Sequence, residues 1–70
     1  MPNGTVKWFN PTKGYGFIQP EAGGSDVFVH ISAVERAGMT SLSDGQKIAY
    51  ELAEDPRSGR MAADQLQARD

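Results

Sequence analysis

The chain has 70 residues, no cysteine and one histidine, with seven Lys and Arg against nine Asp and Glu for a net charge of −2 at pH 7. This length leaves room for one small domain, and the composition excludes disulfides, thiolate metal sites and a protein-only metal cage, so we expect no cofactor. A negative net charge argues at first against a nucleic-acid partner.

The charged residues are unevenly distributed along the chain. Residues 1–20 contain two lysines and no acid, whereas residues 21–56 contain seven acids and two basic residues. Arg57 and Arg60 then follow. Because the local field governs a binding surface more than the net charge does, the basic segments are compatible with an anionic partner.

The chain carries no segment typical of membrane insertion or export. No apolar run approaches the roughly 20 residues of a membrane-spanning helix, and the N-terminal stretch MPNGTVKW lacks the apolar core of a signal peptide. The absence of cysteine fits a reducing compartment. We therefore expect a cytoplasmic protein with no membrane partner.

The first half of the chain predicts three short strands. Residues 4–10, GTVKWFN, are rich in β-branched and aromatic residues and end at a turn signal, Asn10-Pro11. Residues 14–20, GYGFIQP, follow, and in residues 26–31, DVFVHI, the side chains alternate between two faces. Short strands separated by turns predict an antiparallel meander.

The second half is less regular. Residues 32–38, SAVERAG, fit either a short helix or a single tight turn, and residues 46–55, QKIAYELAED, alternate like a strand. Residues 59–66, GRMAADQL, are the weakest predicted strand, since Ala and Met fit a helix equally well. Five strands with a long link between the third and fourth predict an all-β protein: a five-stranded antiparallel Greek-key barrel of the OB type.

Strand parity predicts which side chains fill this barrel. The predicted core is Val6, Ile18, Val27, Val29, Val34, Ile48, Leu52 and Leu66. The first strand breaks the pattern, because Val6 and Trp8 would share one face. A β-bulge would turn Val6 inward and Trp8 outward. Without a bulge, Trp8 belongs to the core.

The same parity puts four flat side chains on one outer face. They are Tyr15, Phe17, Phe28 and His30. Aromatics at alternate positions of a strand are more often core residues, but turning these inward would leave Gly14 and Gly16 outside as bare backbone. An exposed aromatic cluster needs a partner, and single-stranded nucleic acid supplies one, because each base can stack on a flat side chain.

Two motifs lie along these strands: KGYGFI within residues 5–20, TVKWFNPTKGYGFIQP, and VFVHI within residues 26–34, DVFVHISAV. They resemble the two ribonucleoprotein-type motifs of the bacterial cold-shock proteins, the cold-shock domain family. The resemblance is strong over residues 4–34 and weaker after residue 54. It implies a single cold-shock domain over residues 1–70, with the five-stranded OB-type barrel of the family.

The resemblance also implies a function. The family binds single-stranded RNA and DNA with little sequence choice. Many members act as RNA chaperones that melt weak secondary structure, and some act in transcription antitermination. The expected partners are therefore single-stranded RNA and DNA, with no small-molecule substrate. We expect a monomer, because nothing in the sequence indicates an obligate oligomer.

The resemblance assigns roles to particular residues. Base stacking is assigned to Trp8, Tyr15, Phe17, Phe28 and His30. Polar or phosphate contacts are assigned to Lys7, Asn10, Lys13 and Asp26, with Arg57 near a basic loop residue that some members use. Asp26 fits a simple strand-entry role equally well. His30 has no partner nucleophile for general-base chemistry, which favours stacking.

Three positions depart from the family pattern. Ile31 and Met39 stand at outer stacking positions where the family commonly has Phe, and Asp64 stands where many members have Asn. Ile and Met cover a base with apolar surface but offer no aromatic face. We therefore expect weaker binding, or a footprint shorter by one base, than in a member with aromatics at both positions. Asp64 leaves the register of residues 57–66 open.

Other functions predict different features. A transcriptional regulator that reads duplex DNA needs a recognition helix or a basic arm, and the sequence predicts neither. A protein-interaction barrel would use the same aromatic face on a hydrophobic partner. An enzyme is disfavoured, because the chain has one histidine, no cysteine and no readable pair of acids.

Overall fold

The computed structural model describes residues 2–69, and within them the chain forms five strands and one short helix. Met1 and Asp70, the ends of the predicted domain, lie outside the described residues. In chain order the elements are β1 (Asn3–Asn10), β2 (Tyr15–Pro20), β3 (Val27–His30), α1 (Ile31–Arg36), β4 (Lys47–Glu54) and β5 (Met61–Arg69). The prediction of an all-β protein with five strands is confirmed.

The strands close into a barrel in the order β1-β2-β3-β5-β4. The pairs β1–β2, β2–β3, β1–β4 and β4–β5 are antiparallel. The pair that closes the barrel, β3 with β5, is parallel and is registered at Phe28 and Ala62. The architecture is that of the predicted Greek-key barrel of the OB type, and the parallel contact brings the start of β5 beside β3.

A β-bulge in β1 separates the inner and outer side chains of that strand. Val6 pairs with Ile18, but Trp8 pairs with Phe17, so Lys7 is the extra residue. Val6 is buried and Trp8 is 38% exposed. This confirms the bulge as the reason that Val6 and Trp8 face opposite sides. The shift also turns Phe9 inward, where it joins the core.

The predicted core is largely confirmed. The buried members are Val6, Ile18, Val29, Val34, Ile48 and Leu66. Val27 is half-buried and packs against them. Leu52 was placed in the core wrongly, since its side chain is 50% exposed. Leu52 keeps the parity of Ile48 and pairs with the buried Ala63, but it lies two residues before the end of β4, where the small alanine side chain leaves much of the larger leucine uncovered.

Helix α1 directly follows β3. Of the two structures predicted for residues 32–38, a short helix or a single tight turn, the chain forms the helix. The His30 side chain is its N-cap and accepts a hydrogen bond from the Ser32 amide at 3.1 Å. Gly38, at φ +83°, follows the helix as its terminating residue. Ala33 and Val34 bury one side of the helix against the barrel.

The last segment is a strand with one irregular residue. Gln65 in β5 has a φ of +49°, and it lies within the register shift, where Gln65 and Leu66 of β5 stand against Tyr50 alone of β4. The Asp64 carboxylate accepts a hydrogen bond from the Gln65 amide at 2.8 Å. Asp64 also pairs with Arg36 of α1 at 2.9 Å, so one side chain supports the bulge and connects it to the helix.

Candidate nucleic-acid interface

Five ring-bearing side chains form one continuous surface on β1, β2 and β3. We call it the aromatic face: Trp8, Tyr15, Phe17, Phe28 and His30. Its geometry follows from the strand register, which sets Phe17 opposite Phe28 and Tyr15 opposite His30. The structure therefore brings together all five residues to which base stacking was assigned.

The rings contact one another along the whole face. The Trp8 ring centroid lies 5.4 Å from that of Tyr15 and 5.5 Å from that of Phe17, both edge to face. The Tyr15 and Phe28 rings are stacked at 5.8 Å, and Phe28 lies 6.5 Å from His30. These separations are typical of aromatic pairs. The rings hold one another in place before any ligand arrives.

The face is only partly covered by the rest of the protein. Trp8 is exposed, and the other four side chains are half-buried. Phe9, the neighbour of Trp8 in sequence, lies in the core instead. The half-buried rings keep part of their surface open to solvent, and an exposed aromatic surface is what base stacking requires.

Gly16 allows β1 and β2 to approach closely beneath the rings. A Cβ atom at this position would overlap the Trp8 carbonyl oxygen and lie 2.7 Å from the Phe9 Cα. Any larger residue would push the two strands apart. The close approach of the two strands at Gly16 fixes the spacing of Trp8 over β2.

His30 is held through Nδ1, the ring atom that faces both Ser32 and Arg57. The Ser32 amide can only donate, so Nδ1 is the acceptor and the ring proton of neutral His30 lies on Nε2. Arg57 Nη1 lies 2.8 Å from Nδ1 and 3.2 Å from Nε2. The ring is thus fixed as part of a surface, with its acceptor nitrogen already used, which disfavours general-base chemistry.

Lys7 and Asp26 contact each other rather than standing free. The Lys7 ammonium lies 3.0 Å from the Asp26 carboxylate, and both side chains are substantially exposed. An exposed pair of this kind contributes about 0–1 kcal/mol. Lys7 can therefore exchange Asp26 for a phosphate at little cost, and the structure assigns Asp26 a pairing role that needs no ligand.

Asn10 and Lys13 lie in the turn between β1 and β2. The side-chain oxygen of Asn10 accepts a hydrogen bond from the Lys13 amide at 3.0 Å, and the backbone carbonyl of Asn10 accepts one from the Gly14 amide at 2.8 Å. Asn10 thus shapes the turn. The turn presents Lys13 as an exposed residue two positions before Tyr15.

The loop between β4 and β5 brings two arginines to the same face. Arg57 contacts His30, and the Arg60 guanidinium carbon lies 5.3 Å from the centroid of the Phe28 ring. A cleft of about 420 Å³ is lined by Trp8, Tyr15, Phe17, Phe28, Ser58 and Arg60. No sequence motif assigned Arg60 a role in the site. Its place depends on the parallel pairing of β3 with β5, which no local pattern indicates.

Ile31 and Met39 pack partly against the core. Both are half-buried. The Ile31 side chain packs close to Gly14, since a Cβ atom added to that glycine would lie 3.3 Å from Ile31 Cγ2. Ile31 directly follows His30 and is the first residue of α1. The stacking role of these two residues stays a prediction.

Within residues 2–69, no group of three or more His, Asp or Glu side chains is arranged to hold a metal ion. None of the helices in that range is long and apolar enough to cross a membrane.

The sequence is similar to known proteins over nearly its whole length. The sequence pattern of the 'Cold-shock' DNA-binding domain matches residues 2–68. A probable cold shock protein of Sinorhizobium fredii is 71% identical over 68 residues, which cover 97% of this chain and 99% of the relative. Cold shock protein CspA of Rhizobium meliloti is 63% identical over the same shares of both chains. Cold shock protein CspB of Geobacillus stearothermophilus is 50% identical over 89% of this chain and 92% of the relative. The chain therefore belongs to the cold-shock domain family, a family of nucleic-acid-binding domains and not of enzymes.

Proposed function

We propose that this chain, as one cold-shock domain, binds single-stranded RNA and DNA through the aromatic face with little sequence preference and acts as an RNA chaperone. The observation that carries the proposal is the continuous face of five rings on neighbouring strands. Every base has a flat surface, and stacking contributes about 1–3 kcal/mol per base. A surface that stacks bases without reading their edges binds many sequences.

The basic residues at the border of the face support phosphate contacts. Lys7, Lys13 and Arg57 lie on three different loops or strands that converge on the rings. A single strand lying across the rings would pass its backbone near these side chains. This local arrangement supports nucleic-acid binding by a chain whose net charge is −2.

Chaperone action follows from preferential binding and needs no nucleotide hydrolysis. A protein that binds only the open form of a hairpin shifts the equilibrium toward that form. At a free protein concentration of about 100 times Kd, the open form gains about 2.7 kcal/mol for each bound protein. That is enough to open a weak hairpin but not a long stem. Antitermination would follow from the same effect on a terminator hairpin.

Recognition of duplex DNA is less well supported by the fold. Helix α1 has six residues and buries Ala33 and Val34 against the barrel, so it is not free to enter a major groove as a recognition helix. The cytoplasmic location and monomeric state expected from the sequence stay predictions.

A hairpin-opening assay tests the chaperone proposal. A short RNA hairpin carrying a fluorophore and a quencher is melted with increasing protein, beside a control hairpin with the same loop and a much longer stem. We expect the melting temperature of the short hairpin to fall with protein concentration while that of the long one stays fixed. An unchanged or raised melting temperature of the short hairpin would contradict preferential binding to single strands.

A further inference from the structure

Arg60 lies directly over one ring of the aromatic face. Its guanidinium carbon is 5.3 Å from the Phe28 ring centroid, a distance at which a cation is attracted to an aromatic ring. Tyr15 stacks beside Phe28 on the same surface. The free protein therefore has a planar cation covering a ring to which base stacking is assigned.

The Arg60 backbone is anchored while its side chain extends over the cleft. The Arg60 carbonyl accepts a hydrogen bond from the Asp55 amide at 2.8 Å, and its amide lies 3.3 Å from Ser58 Oγ. The salt bridges of residues 2–69 involve Lys7, Arg36 and Arg69, and Arg60 takes no part in them. Weak contact with one ring face, on a fixed backbone, lets the side chain move without disturbing the barrel.

We propose that Arg60 is a base-clamping residue, which covers Phe28 in the free protein and moves outward to hold an incoming base between its guanidinium plane and the Phe28 ring. A base packed on both faces needs about 3.5 Å on each side, so the guanidinium must rise by about 2 Å from its present position. The inference rests on the proposed function and adds a second wall to one stacking position. Because both walls contact base faces rather than edges, the clamp accepts any base.

A clamp and a phosphate contact predict different behaviour for lysine at this position. The planar guanidinium of arginine stacks on flat surfaces, whereas the ammonium of lysine acts as a point charge. R60K therefore keeps the charge and removes the stacking plane. R60A removes both.

The test is binding of a fluorescently labelled oligothymidine, measured by anisotropy near 0.15 M salt, where the Debye length is about 8 Å. The proteins compared are the wild type, R60A, R60K and R69A. R69A is the control for loss of one positive charge, because Arg69 is the last residue of β5, at the opposite end of that strand from Arg60. We expect R60A and R60K each to weaken binding by about 3- to 30-fold, and R69A to bind like the wild type. Thermal unfolding of each variant shows that the barrel is intact.

Three results would overturn the clamp. If R60K binds with the affinity of the wild type, Arg60 contributes only its charge, as a phosphate contact would. If R60A binds as tightly as the wild type or more tightly, the Arg60 side chain only covers Phe28 and competes with the base for that ring. In a protein that already carries Phe28→Ala, R60A should no longer weaken oligothymidine binding, because the base has no ring on its other face. An undiminished loss of affinity there would also refute the clamp. Failure of the wild type to bind at all would contradict the proposed function itself, and that is seen before any variant is compared.

Discussion

Phe17 and Phe9 are phenylalanines on opposite sides of the same barrel wall. Phe9 is buried in the core, whereas Phe17 is half-buried between Trp8 and Phe28 on the aromatic face. Their positions predict different functional consequences for the same truncation. One side chain should serve mainly stability and the other mainly binding.

Replacing Phe17 with alanine should weaken single-strand binding by about 1–3 kcal/mol while leaving the protein folded. Replacing Phe9 with alanine, as the matched control, should lower the free energy of unfolding by about 3–5 kcal/mol, because it empties a core position. Urea unfolding and oligonucleotide titration of both variants separate the two effects. A loss of stability in F17A as large as in F9A would show that Phe17 is a core residue.

Asp64 carries the clearest acid-base signature on the surface. The Arg36 guanidinium, and then the Gln65 amide, hold the pKa of this carboxyl below its ordinary value of 3.8. Since the folded pKa is lowered, the stabilisation is present above pH ~3.8 and is lost as the pH falls through the folded pKa.

Asp64→Asn should remove the charge and keep an acceptor for the Gln65 amide. The partly exposed ion pair with Arg36 contributes no more than about 1 kcal/mol. The free energy of unfolding of the wild type at pH 7 should therefore be higher than that of D64N by that amount or less. The difference should shrink at pH 3, as the wild-type carboxyl takes up its proton. Urea unfolding at the two pH values measures it, and a difference that grows in acid would show the sign to be wrong.

At the scale of the elements, the sequence predicted β3 from the strict alternation of DVFVHI, and it left a bulge in β1 as one of two alternatives because Val6 and Trp8 break the alternation. It failed at Leu52 and left β5 ambiguous. The positive φ of Gln65 and the register shift at that residue accompany a hydrogen bond from the Gln65 amide to the Asp64 carboxylate, which hydrophobic alternation does not indicate. The aromatic face followed from strand parity, whereas Arg60 reaches it through a long-range parallel pairing.

The close contact of β1 with β2 makes Gly16 sensitive to any added side chain. Gly16→Ala places a methyl group against the Trp8 carbonyl and Phe9 backbone, which should cost about 1–3 kcal/mol of stability and change the emission of Trp8. Gly23→Ala is the control, since nothing lies within 4 Å of its Cβ position. It should cost about 1–2 kcal/mol for its positive φ without altering Trp8 emission. Unchanged Trp8 emission in G16A would contradict the contact.

The irregular residue of β5 offers a stabilising substitution. Gln65→Gly should raise the free energy of unfolding by about 0.5–1 kcal/mol, because glycine adopts a positive φ without the steric cost that glutamine bears. Gln67→Gly, two residues along the same strand and exposed, should lower it by about 0.5–1 kcal/mol. Chemical unfolding of the two variants makes the comparison. A loss of stability in both would mean that Gln65 is not strained.

At the scale of the whole molecule, the barrel gathers basic residues that lie far apart in the sequence. Lys7 and Lys13 come from β1 and the turn after it, and Arg57 and Arg60 come from the loop before β5. All four are set around or next to the five rings, while most acids lie in the segment between them. The negative net charge of the whole chain therefore does not give the local charge around the aromatic face, where these four basic residues lie.

The aromatic face also contains the only tryptophan in the sequence. Trp8 is 38% exposed and contacts Tyr15 and Phe17, so its emission reports directly on whether a base stacks there. The most direct measurement is a titration of Trp8 fluorescence with a short single-stranded oligopyrimidine and with the matching duplex. Strong quenching by the single strand and little by the duplex is the predicted result. No response to either, or an equal response to both, would contradict single-strand binding at the aromatic face.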